Sequence, residues 1–271
     1  MSHIHIPDGV LPVWLWAAGW IVALAMVTLA GRSASRSEAR RKVPLVGVVA
    51  ALMIVSMSSE IVPIAYHVNL SVIGGILLGP ALAVIAAFIV EIVLAMLGHG
   101  GVTVLGLNTM VIGAEMIVGW LAFHAILRLL SRRRAALSAG LATALTLALT
   151  TTLVVGIVWI GGAGEAPERE TGALDPATLR FENPFAEGIF EFGLLDDHGH
   201  DHDHDEEGER FLSVGRFAAV VYTLGPIGWT IEALVTAGII GYVARVRPRM
   251  IFEGALAEEM SRIPGDETGG H

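Results

Sequence analysis

Long apolar runs, each closed by a short polar or basic break, set the rhythm of this chain. A membrane-crossing helix needs about 20 mostly apolar residues. Leu11–Gly31 meets that need and is followed at once by Arg32, Arg36, Arg40, Arg41 and Lys42. Val43–Ser58 is a second run. Glu60–Asn69 is broken up by polar residues, and the run Val68–Gly79 is cut short by Gly79-Pro80. Ala81–Leu97, Asn108–Leu130, Ala136–Gly161 and Arg216–Ala244 complete the series. The pattern predicts an all-α fold: a polytopic membrane helix bundle of about seven transmembrane helices. Val68–Gly79 falls short of the usual length by roughly a third, so it must tilt, re-enter, or lie buried among other helices.

The breaks divide the chain into a single membrane bundle (residues 1–161 and 214–249), an intervening segment 162–213, and a tail 250–271. Lys and Arg in short connections set orientation. With the N-terminus outside and seven crossings, 13 of the 17 basic residues face the cytoplasm, the clusters Arg132–Arg134 and Arg245–Arg249 included. Residues 1–10 carry no Lys or Arg and the first apolar run is long, so a retained helix is expected, not a cleaved signal. The expected location is the plasma membrane, multi-pass, with an extracytoplasmic N-terminus.

Composition changes this picture in three ways. The chain is 54% hydrophobic and only 16% charged, well below the roughly 25% charged residues of a soluble domain. Its net charge of −9 is local: residues 162–213 hold 15 acids and 3 arginines, a net −12, which leaves +3 elsewhere. No basic face exists to meet nucleic acid. The absence of cysteine removes disulfides and thiolate metal sites. His-Glu-x-x-His, Gly-x-x-x-x-Gly-Lys-Ser/Thr and Gly-x-Ser-x-Gly are all missing, so the chain is expected to be no enzyme and to hydrolyse no ATP itself.

What chemistry remains is carried by histidine. His3 and His5 stand at the N-terminus, His67 beside the short third run, and His198, His200, His202 and His204 alternate with Gly or Asp in the acidic segment. By the orientation above all three groups face outside. Imidazoles without thiolates suit a borderline transition metal such as Ni²⁺, Co²⁺, Zn²⁺ or Cu²⁺. Removal of Met1 before the small Ser2 would leave an amine, an amide and the His3 imidazole as a chelate for square-planar nitrogen binding, with His67 as a fourth ligand. The alternative is a frayed terminus. The His198–His204 run offers either loose multi-site capture or a solvated linker. His99 and Asn108 flank a glycine-punctuated turn that could support a metal ligand from behind.

Three acids, Glu91, Glu115 and Glu232, fall inside apolar runs. A charge in lipid costs at least about 2.5 kcal/mol, so such residues face the bundle interior, for function or as structural polar glue. Glu91 precedes His99 by about two helical turns. His124 is expected to be structural. Gly75/Gly79, Gly19/Ala23 and Ala136/Gly140 give small faces for close helix packing.

Four blocks then resemble one family. His5-Ile-Pro-Asp-Gly-Val-Leu-Pro12 is similar to the N-terminal signature of the CbiM/NikM substrate-capture subunits of energy-coupling factor cobalt and nickel importers. His67 with Gly74-Gly-Ile-Leu-Leu-Gly79-Pro80, His99 through Asn108, and Gly228 through Thr236 with Arg247-Pro248 resemble the later blocks. The resemblance implies a seven-helix subunit that binds Ni²⁺ or Co²⁺ as transported substrate. The ligands it implies are the terminal amine, the adjacent amide, the second-residue imidazole and the histidine matching His67. It also implies a transmembrane coupling subunit, cytoplasmic ATPase subunits and a small accessory membrane subunit as partners. The family start is usually Met-His-Ile-Pro-Asp-Gly. Here the matching histidine is His5, so chain position favours Ser2-His3, motif alignment favours His5, and a mixed set is open.

Overall fold

The computed structural model describes residues 11–34, 36–58, 68–98, 101–160, 174–175, 180–181 and 214–252. Among them are seven α-helices: α1 Val13–Ser33, α2 Arg36–Ser58, α3 Ser71–Leu78, α4 Pro80–Met96, α5 Leu105–Leu130, α6 Ala135–Ile160 and α7 Val214–Val246. A two-residue antiparallel ladder, Leu174–Asp175 against Arg180–Phe181, is the one strand pairing among the described residues. Five helices are long and apolar enough to cross a membrane, and α4 is a shorter apolar helix.

Side-chain exposure explains why the helices need lipid. Ile21, Trp159 and Leu234 are each about 70% exposed on the outer faces, an arrangement that water penalises and hydrocarbon does not. The interior is organised around α5, which packs against α1, α3, α4 and α6. Met53, Leu94, Ile112 and Met116 knit α2, α4 and α5. Phe123, Ala139 and Ile240 join α5, α6 and α7, and Val72 and Ile76 bring α3 into the same cluster.

Several boundaries differ from the expectation for physical reasons. The basic stretch from Arg36 is already helical in α2; arginine is a good helix former. Helix α5 starts at Leu105, so Asn108 lies in its first turn and not at a turn tip. Helix α4, with Glu91 on it, ends at Met96, and Gly98 takes φ 79. Past Arg249, where a solvated tail is expected, Ile251 and Phe252 are buried with Phe123.

The third helix is the departure that shapes the molecule. Eight residues at about 1.5 Å each span roughly 12 Å, less than half of a hydrocarbon core of about 30 Å. Seven of its eight residues, all but Leu77, are buried. Its close fit depends on Gly75, where a Cβ would strike the Met116 carbonyl of α5. Gly79 then closes α3 and opens α4 with φ 80 and ψ 167, a conformation essentially reserved for glycine, and Pro80 starts the next helix at a position suited to it. Lys42 Nζ donates to the Leu78 carbonyl at 3.2 Å, which ties this junction to the start of α2.

Small residues also join α6 and α7. A Cβ on Gly140 would lie 3.1 Å from the Ala233 carbonyl, and one on Gly241 would lie 2.8 Å from Ala136 Cβ. Thr152 and Tyr222 share a hydrogen bond of 2.8 Å further along the same antiparallel seam.

Candidate functional site

The start of α3 is where the bundle gathers its buried polar atoms. A half-length helix begins inside the protein, so its first N–H groups need partners that water would otherwise supply. Asn69 Oδ1 accepts from the Ser71 N–H at 2.9 Å and supplies one. The Asn69 amide Nδ2 donates to Glu115 Oε1 at 2.7 Å, and its backbone N–H donates to Glu232 Oε1 at 2.6 Å. Ser71 Oγ donates to the same Glu115 oxygen in a short contact. On the other side of that carboxyl, Thr150 Oγ1 donates to Glu115 Oε2 at 3.2 Å. Asn69 thus bridges two acids from α5 and α7, and Glu115 ties α3 to α6 as well.

These groups lie well away from the basic ends of their helices. Glu115 stands about 15 residues before the end of α5, Thr150 about 15 after the start of α6, and Glu232 about 14 before the end of α7. At about 1.5 Å per residue each sits roughly 20 Å from that end. Glu115 and Glu232 are each 1% exposed, as is Glu91 on α4. All three acids point inward, as intramembrane acids must.

The connection before α5 is fixed by a second contact: Trp20 Nε1 on α1 donates to the Thr103 carbonyl at 2.8 Å. Gly106 makes this possible, since a Cβ there would press on the Trp20 backbone. Asn108, buried in the following turn, completes the block that begins at residue 99. His124 has a structural role: its Nδ1 lies 2.8 Å from the Trp120 carbonyl, and its ring lies tilted against Trp120 and meets Phe123 edge-on.

Ser2, His3, His5, His67, His99, His198, His200, His202 and His204 lie outside the described residues. Among the described residues no group of three His, Asp or Glu side chains is arranged to hold a metal. The sequence signalled Glu115 and Glu232 as buried acids. It gave no separate signal for Asn69, Ser71 or Thr150. A donor-rich Asn-Leu-Ser start to a short helix, in a chain with buried acceptors to match, is the pattern that could have found them.

With this geometry in place, the sequence profile of the family described as "Cobalt uptake substrate-specific transmembrane region", CbiM, matches residues 5–250. The chain belongs to the CbiM family. Relatives of this family member include a putative cobalt transport protein CbiM of Halobacterium salinarum, 27% identical over 256 residues, which cover 90% of this chain and 95% of that one. A cobalt transport protein CbiM of Nostoc sp. is 31% identical over 161 residues, covering 54% of this chain and 60% of the relative. In three dimensions the CbiM-family bundle resembles a crystal structure titled as a transition metal transporter, with a TM-score of 0.61 over 97% of this chain and 100% of the other. At 18% identity that likeness speaks for the fold. The protein is a multi-pass membrane protein of a metal-uptake family.

Proposed function

We propose that this chain is the substrate-capture subunit of an ATP-driven, energy-coupling factor importer for Ni²⁺ or Co²⁺. In this reading the metal is bound on the outer side by nitrogen ligands from Ser2, His3 or His5 together with His67. A free amine, a deprotonated backbone amide and imidazoles make a square-planar set that suits nickel and low-spin cobalt. His198, His200, His202 and His204 act as a loose collector, because a run of imidazoles alternating with Gly and Asp offers weak, multi-site metal affinity. His99 and Asn108 support the ligands from behind. The chain carries no ATPase motif, so movement inward needs a transmembrane coupling subunit, cytoplasmic ATPase subunits and a small accessory membrane subunit. The assembly sits in the plasma membrane with the N-terminus outside.

The observation that carries this reading is the buried bridge Asn69–Glu115–Glu232, which begins two residues after His67. A metal ligand is only as well placed as the backbone that bears it. That bridge anchors Asn69 between α5 and α7. It also lends the pair of buried acids a purpose that does not require them to touch the metal.

Uptake of radioactive Co²⁺ and Ni²⁺ by cells expressing the chain with its ATPase and coupling partners tests the proposal. Wild type is expected to accumulate metal in an ATP-dependent way, and His67→Ala to lose accumulation and binding. A His67→Ala protein that binds and imports normally would falsify the site. An extension placed before Met1 that leaves affinity intact would remove the amine from the ligand set. Binding without uptake under any partner combination would make the chain a membrane metal sensor.

A further inference from the structure

At the basic end of the bundle the beginning of α2, Leu77 of α3 and the residues after α7 line an open groove of about 530 Å³. Three cations border it: Arg41 and Lys42 from α2, and Arg249 from the turn after α7. Its other described lining residues are Pro44, Leu45, Val48, Leu77 and Met250, all apolar. The volume falls in the range of about 300–1,000 Å³ common for small-ligand sites. Among the described residues no carboxylate takes part in the lining.

Depth identifies the occupant. Arg41 is the first residue of the spanning part of α2, and Arg249 lies three residues past Val246, where the spanning part of α7 ends. The cations therefore stand at the level where hydrocarbon gives way to headgroups, and the apolar wall runs from them toward the bilayer. Val48, about two turns past Arg41, is more than half exposed on the outer face of the bundle, so the cavity opens where acyl chains lie. Water-soluble anions would find the charges but gain nothing from the apolar wall. A neutral lipid would gain the wall and nothing from the charges. Only a ligand with an anionic head and an apolar tail uses both, and basic pockets between helices at the membrane surface are suited to such lipids.

We infer that this cavity is a binding site for one anionic phospholipid, its phosphate held by Arg41, Lys42 and Arg249 and an acyl chain lying along Leu45, Val48 and Leu77. Lys42 Nζ also donates to the Leu78 carbonyl, so the headgroup site is mechanically joined to the α3–α4 junction. A bound lipid thereby braces the end of α3 opposite to Asn69. The inference rests on the membrane location alone and stands whether or not the chain carries metal.

Native mass spectrometry of the full-length protein in detergent tests it, with phosphatidylglycerol and phosphatidylcholine of matched chains as probes. Wild type is expected to retain phosphatidylglycerol preferentially. Arg41→Gln with Arg249→Gln is expected to lose that preference, by about fivefold per cation and roughly twentyfold together. Val48→Trp, which leaves every charge in place and fills the apolar groove, is expected to lower retention as well. Arg133→Gln with Arg134→Gln, outside the cavity, is expected to leave it unchanged. Equal retention of the two lipids overturns the site. So does an equal loss in the Arg133/Arg134 variant, which would mean diffuse surface attraction. Displacement of the lipid by millimolar inorganic phosphate overturns it in favour of a free-anion site. Unchanged monodispersity of the variants on size exclusion confirms that any loss is local.

Discussion

Replacing Glu115 by Ala isolates the contribution of the buried bridge. The carboxyl accepts from Asn69 Nδ2, Ser71 Oγ and Thr150 Oγ1. Thr150 also donates to the Thr146 carbonyl at 3.1 Å, so it keeps a partner. Asn69 Nδ2 and Ser71 Oγ lose the acceptor they share, at sites 2% and 0% exposed. A buried polar group left unsatisfied costs about 1–3 kcal/mol in soluble proteins, whereas hydrogen bonds within membranes average about 0.6 and reach about 1.7 kcal/mol. Taking about 1 kcal/mol for each of the two donors gives a loss of roughly 2 kcal/mol. For a chain of this size that is a fall in Tm of about 4–8 °C, read by fluorescence-detected size exclusion after heating. Glu115→Gln retains an acceptor oxygen and should lose about half as much. A double-mutant cycle with Asn69→Ala should return a coupling of about 1 kcal/mol. If the bridge also positions His67, metal affinity should drop by roughly tenfold in Glu115→Ala. An unchanged Tm, or additive losses in the cycle, would refute the claim that Glu115 holds the start of α3.

Other positions give sharper yes-or-no outcomes. Gly75→Val places a side chain against the Met116 carbonyl, a collision with backbone that cannot rotate away, so the monodisperse fraction of purified protein should collapse. Gly156→Ala meets nothing within 4 Å and should be neutral or raise stability by about 0.5–1 kcal/mol through lower helix-interior flexibility. Ser131 holds φ 84 and ψ 155 between α5 and the turn Arg132–Arg134, a conformation that costs a non-glycine residue about 1–3 kcal/mol. Ser131→Gly should therefore raise Tm by a few degrees, while Gly79→Ala, with φ 80, should lower it. Phe252→Ala removes a buried ring packed with Phe123 and Ile251 and should cost about 3 kcal/mol, measurable as a lower Tm despite its place beyond the last long helix.

The long apolar runs announced themselves because length and hydropathy are all that lipid asks of a spanning helix. The small-residue faces were equally readable: Gly19, Gly75, Gly140 and Ala136 all sit at close helix contacts. Gly79 has another reason for being glycine, its backbone angles, which a spacing pattern cannot distinguish from packing. The depth of α3 was hidden because hydropathy counts residues and does not say at which level a short helix begins. For the same reason Glu115 and Glu232 could be recognised as inward-facing, while their donors on Asn69 and Ser71 came from a segment distant in sequence. The basic break from Arg36 onward is helical in its backbone, because a run of charges interrupts hydropathy without interrupting a helix.

The seam between α6 and α7 has an evolutionary corollary. Because Ala136, Gly140, Ala233 and Gly241 lock the two helices through contacts of their own, residues 161–213 join ends that are already held together. Doubling the length of such a connection costs only about 0.6 kcal/mol of chain entropy. That stretch is free to be lengthened, shortened or exchanged, and the bundle beneath would fold as before.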